Sequence, residues 1–178
     1  FYYRHQCTIN EVNSSYNKYQ AIYNFNFNVI LINFNFNNRI MQMIPFDKRT
    51  GYIWINGVYK EWKDCKTHVL NHGLHYGSCV FEGIRIYDGK IFKLEEHTER
   101  LFESAKILDL DIPFEKEKIN EIIRQLTIKQ DVDNGYIRPV AWRGSEQMAI
   151  SAMDSTTNIA IAAWTWPSYF SPEKILEG

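Results

Sequence analysis

Two alternations of apolar and polar residues run along this chain, one of period two and one of helical period, and their order sketches a fold. Tyr52–Ile55 and Val58–Glu61 are short β-prone runs around Asn56-Gly57, a pair that accepts the positive φ angles of a type I′ turn, so a hairpin is predicted. Val80–Tyr87 and Lys90–Lys93 flank Asp88-Gly89, which has the same turn chemistry and predicts a second hairpin. Leu94, Thr98, Leu101, Ala105 and Leu108 then recur at helical spacing, with Glu95 and Glu96 where the positive end of the helix dipole favours acids. A helix is expected over Leu94–Leu108. After Pro113, residues Ile119, Ile122, Ile123 and Leu126 form a second helical stripe, and Asp133-Asn134-Gly135 turns the chain into two last strands, Tyr136–Trp142 and Asn158–Trp164. The sum is an α+β fold, a mainly antiparallel sheet with helices packed on one face.

The period-two signal is strongest where it means least. Residues 1–42 are low-complexity sequence, rich in Asn, Tyr, Phe and Ile, with strict alternation in Tyr23-Asn24-Phe25-Asn26-Phe27-Asn28 and Asn33-Phe34-Asn35-Phe36-Asn37. Such a tract can form strands and assemble, having low charge and no proline. It also reads as disordered sequence or as translated upstream sequence before a start at Met41 or Met43, because these are the residues that AT-rich codons specify. A charged start, apolar core and small-residue cleavage site do not occur there in the order of a signal peptide.

Charge and cysteine content narrow the function classes. Twenty basic against twenty-one acidic residues leave a net charge of -1, without the basic footprint that nucleic acid or an anionic membrane would demand. No apolar run approaches the length of a membrane span. Cys7, Cys65 and Cys79 are an odd number without CxxC spacing, which suits a reducing compartment and a cytoplasmic protein. Small-molecule chemistry is the expectation that remains.

Candidate chemistry lies in a few places. His68, His72 and His75 have spacings that would line one helical face and invite a metal, but no fourth ligand has matching spacing and Gly73 and Gly77 weaken a helix there; no metal is expected. Arg100, on the first predicted helix, reads either as a solvated face residue or as an anion clamp whose planar fork matches phosphate oxygens. Tyr136 and Arg138 fall on one face of a strand and would suit a carboxylate. Trp142–Ile150 reads as a loop of mixed polarity. Tyr76, Phe81 and Gly83 read by themselves as core more readily than as pocket, since aromatics near a glycine in a strand are more often core. Lys106, Lys116 and Lys118 sit on amphipathic helices as solvated residues, so no catalytic residue is assigned.

The stretch Tyr52–Gly89, reading YIWINGVYKEWKDCKTHVLNHGLHYGSCVFEGIRIYDG, resembles the opening of a branched-chain amino acid aminotransferase, within the class IV pyridoxal-phosphate-dependent aminotransferases. The resemblance continues through Glu96-His97-Thr98-Glu99-Arg100-Leu101 and Tyr136-Ile137-Arg138-Pro139 to Trp164-Thr165-Trp166. It implies the small N-terminal domain of that fold over residues 43–166, an interdomain linker beginning at 167–178, and a homodimer or higher homo-oligomer. It implies pyridoxal 5′-phosphate as cofactor, with Arg100 on its phosphate. The implied substrates are amino acids and 2-oxo acids, in reversible amino transfer from leucine, isoleucine or valine to 2-oxoglutarate. Phe81 and Gly83 are implied in the branched side-chain pocket, Tyr136 near the α-carboxylate, and Arg138 on the side-chain carboxylate of glutamate. Tyr76, Met148, Ala149 and Ile150 would reach a neighbouring subunit's pocket, and Trp166 would begin the loop that covers substrate. No segment resembles the one that carries the family's Schiff-base lysine, so an N-terminal fragment, inactive alone, is expected. A D-amino acid aminotransferase or aminodeoxychorismate lyase would share the hairpins and Arg100, and a non-catalytic remnant would serve only as a dimerisation or binding module.

Overall fold

The computed structural model describes residues 44–166; the alternating tract of residues 1–42 and the linker expected over 167–178 lie outside the described residues. Strands β1 (Tyr52–Ile55) and β2 (Val58–Glu61) form the first hairpin, and Asn56 and Gly57 between them take φ angles of 48° and 96°. A short helix α1 (His72–Tyr76) follows, with the Asn71 side chain accepting from the Leu74 N–H and Gly77 ending it in the left-handed region. Then come β3 (Cys79–Phe81), β4 (Ile84–Tyr87), β5 (Lys90–Ile91), α2 (Leu94–Ile107), α3 (Lys116–Lys129), β6 (Gly135–Arg143) and β7 (Thr157–Thr165). Single 3₁₀ turns at Phe46–Lys48 and Trp62–Asp64 flank the first hairpin.

All pairings are antiparallel, and the order across the sheet is β2-β1-β7-β6-β4-β5, with β3 also on β6. Long β6 and β7 pair from Gly135↔Thr165 to Arg143↔Thr157 and form the spine. Alternation along β6 buries Gly135, Ile137, Pro139 and Ala141 and leaves Tyr136, Arg138, Val140 and Trp142 on the opposite, half-buried face. The buried face meets both helices: Ile84, Ile86, Ile137, Ile159 and Ile161 form one core with Leu101, Ile119, Ile123 and Leu126. Each such side chain, fully buried, contributes about 1.5–3 kcal/mol relative to exposure. Thr98 and Asn120, polar and buried between the helices, satisfy each other through a 2.5 Å bond from Oγ1 to Oδ1. The helices therefore cover one face, as the apolar stripes predict.

The expected strand Val80–Tyr87 is instead two strands, β3 and β4, separated by Glu82 and Gly83. The cause lies across the sheet. Pro139 sits in the middle of β6, fully buried, and its carbonyl accepts from the Glu82 N–H at 3.0 Å. In an antiparallel ladder the N–H of a residue points the same way as its C=O, so the donor that proline lacks would have faced this neighbour. Regular pairing lapses there and resumes on either side, with Phe81↔Val140 and Ile84↔Ile137. At the other end, Lys93 already has a left-handed φ of 49° before α2 and is not a strand residue, and α2 ends at Ile107 rather than Leu108.

Candidate active site

The half-buried face of the sheet is built in rows set by the strand register. Arg85, Tyr136 and Trp164 lie side by side on β4, β6 and β7; beside them come Arg138 and Ala162, then Phe81, Val140, Ala160 and Ile55. Small alanines on β7 leave a shallow floor, and aromatic rings make the rim. Arg138 donates from Nη2 to the Tyr136 hydroxyl at 3.0 Å, and its guanidinium lies 4.1 Å from the Phe81 ring centroid. Tyr136 stands 5.2 Å from Trp164 and 5.7 Å from Trp166, centroid to centroid. Gly83 is required by close approach: a Cβ there would fall 2.0 Å from the Tyr136 hydroxyl oxygen. A groove of about 670 Å³ opens beside this cluster, lined by Tyr136, Arg138, Trp164 and Trp166 together with Phe46 and Trp62. Phe81, Gly83, Tyr136, Arg138 and Trp166, scattered in the sequence, thus meet.

On the helix side of the strand break stands a charged cluster. Glu82, 4% exposed, takes Nε of Arg100 on one oxygen at 2.5 Å and Nη2 on the other at 2.7 Å. His97 Nδ1 lies 2.7 Å from the second oxygen, so that nitrogen carries the donated proton. The approach of Arg100 Nη2 to the same His97 nitrogen at 3.4 Å sets two donors side by side and is no bond. Spacing of three residues on α2 puts His97 and Arg100 on one face, one above the other. Burial pushes the Glu82 carboxyl up, but the hydrogen bonds from Arg100 and His97 and their charge outweigh it and hold it below the usual carboxylate range. The bond to Glu82 likewise raises Arg100. Arg100 keeps three of its five N–H donors for another acceptor, and its side chain is 64% exposed.

Tyr76, Met148, Ala149 and Ile150 form a separate group at the far end of β6. Buried His72 joins them: its ring stacks 4.4 Å from Tyr76, Nε2 donates to the Ala149 carbonyl at 3.0 Å and Nδ1 meets the Ser78 hydroxyl at 2.7 Å. Tyr76 is 49% exposed, Met148 42% and Ile150 93%. Tyr136 lies some six residues, roughly 20 Å, back along β6 from this group, whereas Phe81, paired with Val140, lies nearer to it. The three histidines are engaged locally, His68 accepting from the Leu70 N–H and His75 donating to the Val69 carbonyl, and His68 lies outside α1 altogether. Among the described residues no group of three His, Cys, Asp or Glu is placed to hold a metal.

Sequence reasoning assigned no role to Glu82, His97 or His72. The signal for Glu82 was Pro139: a proline in a central strand demands an irregular neighbour.

The sequence profile of amino-transferase class IV matches residues 79–177. This chain belongs to the class IV aminotransferase family. The matched stretch opens at the first residue of β3 and holds both clusters of the strand break. Among curated relatives, the chain is 42% identical over 134 residues to the branched-chain-amino-acid aminotransferase of Pseudomonas aeruginosa, covering 73% of this chain and 44% of that one. It is 37% identical over 136 residues to that of Escherichia coli, with 74% and 44% covered. A crystal structure of the T.th. branched-chain amino acid aminotransferase with pyridoxamine 5′-phosphate superposes with a TM-score of 0.66 at 38% identity, over 70% of this chain and 43% of that one. The Escherichia coli enzyme gives 0.66 at 37% identity over 70% and 43%. The α+β architecture, helices on one face, is therefore that of class IV aminotransferases, and the chain spans less than half the length of the relatives it matches.

Proposed function

We propose that this chain supplies the phosphate anchor and the substrate wall of a branched-chain amino acid transaminase, one that exchanges amino groups between leucine, isoleucine or valine and 2-oxoglutarate. One observation carries the reading. Consecutive residues at the strand break serve two sites at once, Glu82 holding the exposed fork of Arg100 and Gly83 making room for the hydroxyl of Tyr136, the residue bonded to Arg138. An anion fork thus lies one residue away from a cluster of guanidinium, phenol and apolar rings.

The residues suit pyridoxal 5′-phosphate: three unspent guanidinium donors match the oxygens of a phosphate monoester. The cofactor, when bound, supplies the electron sink for amino transfer. In this reading Arg100 anchors it, while Phe81 and Gly83 bound an apolar slot that accepts branched side chains alike, because one methylene is worth only about 1–3 kcal/mol in such a pocket. Arg138 takes the side-chain carboxylate of glutamate and Tyr136 orients the α-carboxylate, and Trp166 borders the mouth. Tyr76, Met148, Ala149 and Ile150, exposed at the end of β6 away from Tyr136, are assigned to the pocket of a second subunit in a homodimer. A cytoplasmic setting belongs to the same reading, with Cys65 and Cys79 as free thiols. No helix among the described residues is long and apolar enough to cross a membrane.

The test is kinetic. The whole reading frame that carries this chain, expressed and supplied with pyridoxal phosphate, is expected to transaminate leucine with 2-oxoglutarate. Arg138→Ala should lower kcat/KM for glutamate about tenfold more than for leucine, the size of one charged hydrogen bond. Equal losses for the two amino donors would remove Arg138 from carboxylate recognition, and an inert protein would end the transaminase reading.

A further inference from the structure

Arg100 is a long side chain at the surface, and nothing in its exposure would give it one orientation. An unrestrained arginine carries about 2 kcal/mol of rotamer entropy, which a ligand must overcome on binding. Here the side chain is tied down from below. Glu82 receives it through two near-parallel N–H···O bonds, the geometry that fixes a guanidinium in its own plane and not merely near a charge. Glu82 is itself immobile: it is 4% exposed, its second oxygen also takes the His97 proton, and its backbone N–H is bonded to Pro139. The carboxylate also reduces the cation's attraction for an anion, so a simple demand for positive charge does not account for its presence.

We propose that Glu82 is a positioning residue for phosphate binding, fixing the Arg100 fork so that its three remaining donors are presented in one plane; this rests on the reading of Arg100 as the phosphate anchor. Glu82 touches no ligand in this scheme. It acts through Arg100, and its place in the alternation Val80, Glu82, Ile84, Ile86 puts its carboxylate on the helix side of the sheet.

The two available views of Glu82 predict opposite signs. If it were only a counter-charge, Glu82→Gln would leave a freer, more attractive cation and tighten phosphate binding. If it positions Arg100, the same change weakens binding, and Glu82→Asp, which keeps the charge but shortens the reach, weakens it too. The experiment titrates the full chain, Glu82→Gln, Glu82→Asp and Arg100→Ala with pyridoxal 5′-phosphate and with unphosphorylated pyridoxal, by calorimetry. The Arg100 Nε–H resonance is followed by nitrogen-15 NMR in each, and thermal melts confirm folding. Expected is a preference of the unaltered chain for the phosphorylated compound, its loss in Arg100→Ala, and a weakening of about tenfold in both Glu82 variants, with faster exchange of the Arg100 Nε proton. Equal or tighter binding by Glu82→Gln, or unchanged binding by Glu82→Asp, overturns the positioning role while leaving Arg100 as anchor. No preference for the phosphorylated compound in the unaltered chain, or none lost in Arg100→Ala, overturns the anchor reading itself and the positioning role with it. A Glu82 variant that does not fold is replaced as evidence by the exchange rate of the Arg100 Nε proton in the unaltered chain: protection supports the fixed fork, and exchange as fast as that of exposed Arg124 overturns it.

Discussion

Glu82 is charged, buried and held by two neighbours, and its position makes the domain sensitive to acid. Its carboxyl titrates below the ordinary range in the folded chain, while in the unfolded chain it returns to about 4.3. A depressed carboxylate contributes stability that is fully present above the unfolded value and is lost as pH falls through the folded one. Urea unfolding from pH 7 to 3 is therefore expected to show a decline below about pH 4 that is shallower in Glu82→Gln; parallel curves would mean that the ion pair is no net source of stability. At this scale the sequence was legible for residues with a fixed stereochemical duty. Asn56-Gly57 and Asp88-Gly89 announced their turns, and Tyr136 and Arg138 their shared face. It was illegible for Glu82, whose partners His97 and Arg100 reach it only through the packing of α2 on the sheet, and for His72, whose partner Ala149 is brought near only by the folded loop.

Between elements, the α2–α3 contact mixes a buried polar bond with exposed ion pairs, and their weights differ. Thr98 Oγ1 donates to Asn120 Oδ1 in a dry interface, whereas Glu99–Lys116 and Glu95–Arg124 face solvent. Thr98→Val keeps the shape and orphans a buried amide oxygen, so a loss of about 1–3 kcal/mol is expected in denaturant melts. Lys116→Ala should change stability by less than about 1 kcal/mol, the usual range for a surface pair. Similar effects for the two would show that water reaches Asn120. Helix extents were legible because their stripes are long, Leu94 to Ala105 and Ile119 to Leu126. Helix α1 was not, since five residues carry too little periodicity and Gly73 argues against it; its ends are fixed by Asn71 and Gly77 instead.

At the scale of the whole molecule, the sheet of the described residues is covered by helices on one face alone. Helices seal the Ile-rich side of the sheet, while around α1 and the 144–156 loop Val69, Leu74, Tyr76, Met148 and Ile150 stand in solvent. Isolated exposed apolar residues are ordinary, but several together around one helix and its contacting loop mark an interaction surface. Sedimentation of the chain at tens of micromolar, roughly the range of a modest interface of this kind, is expected to show dimer that Leu74→Asp with Ile150→Asp dissociates. A monomer in both cases would remove the second subunit from the proposed pocket.

Pro139 closes the circle from residue to molecule. With proline at that position β6 offers no proton toward Glu82, and the irregular path of Glu82-Gly83 asks for none. Another residue at that position would return an N–H on the side of the Glu82 carbonyl and let the ladder run on from β3 into β4. The proline is a dropped stitch: the seam holds on either side of it and stays open at one point, between the two clusters that meet there.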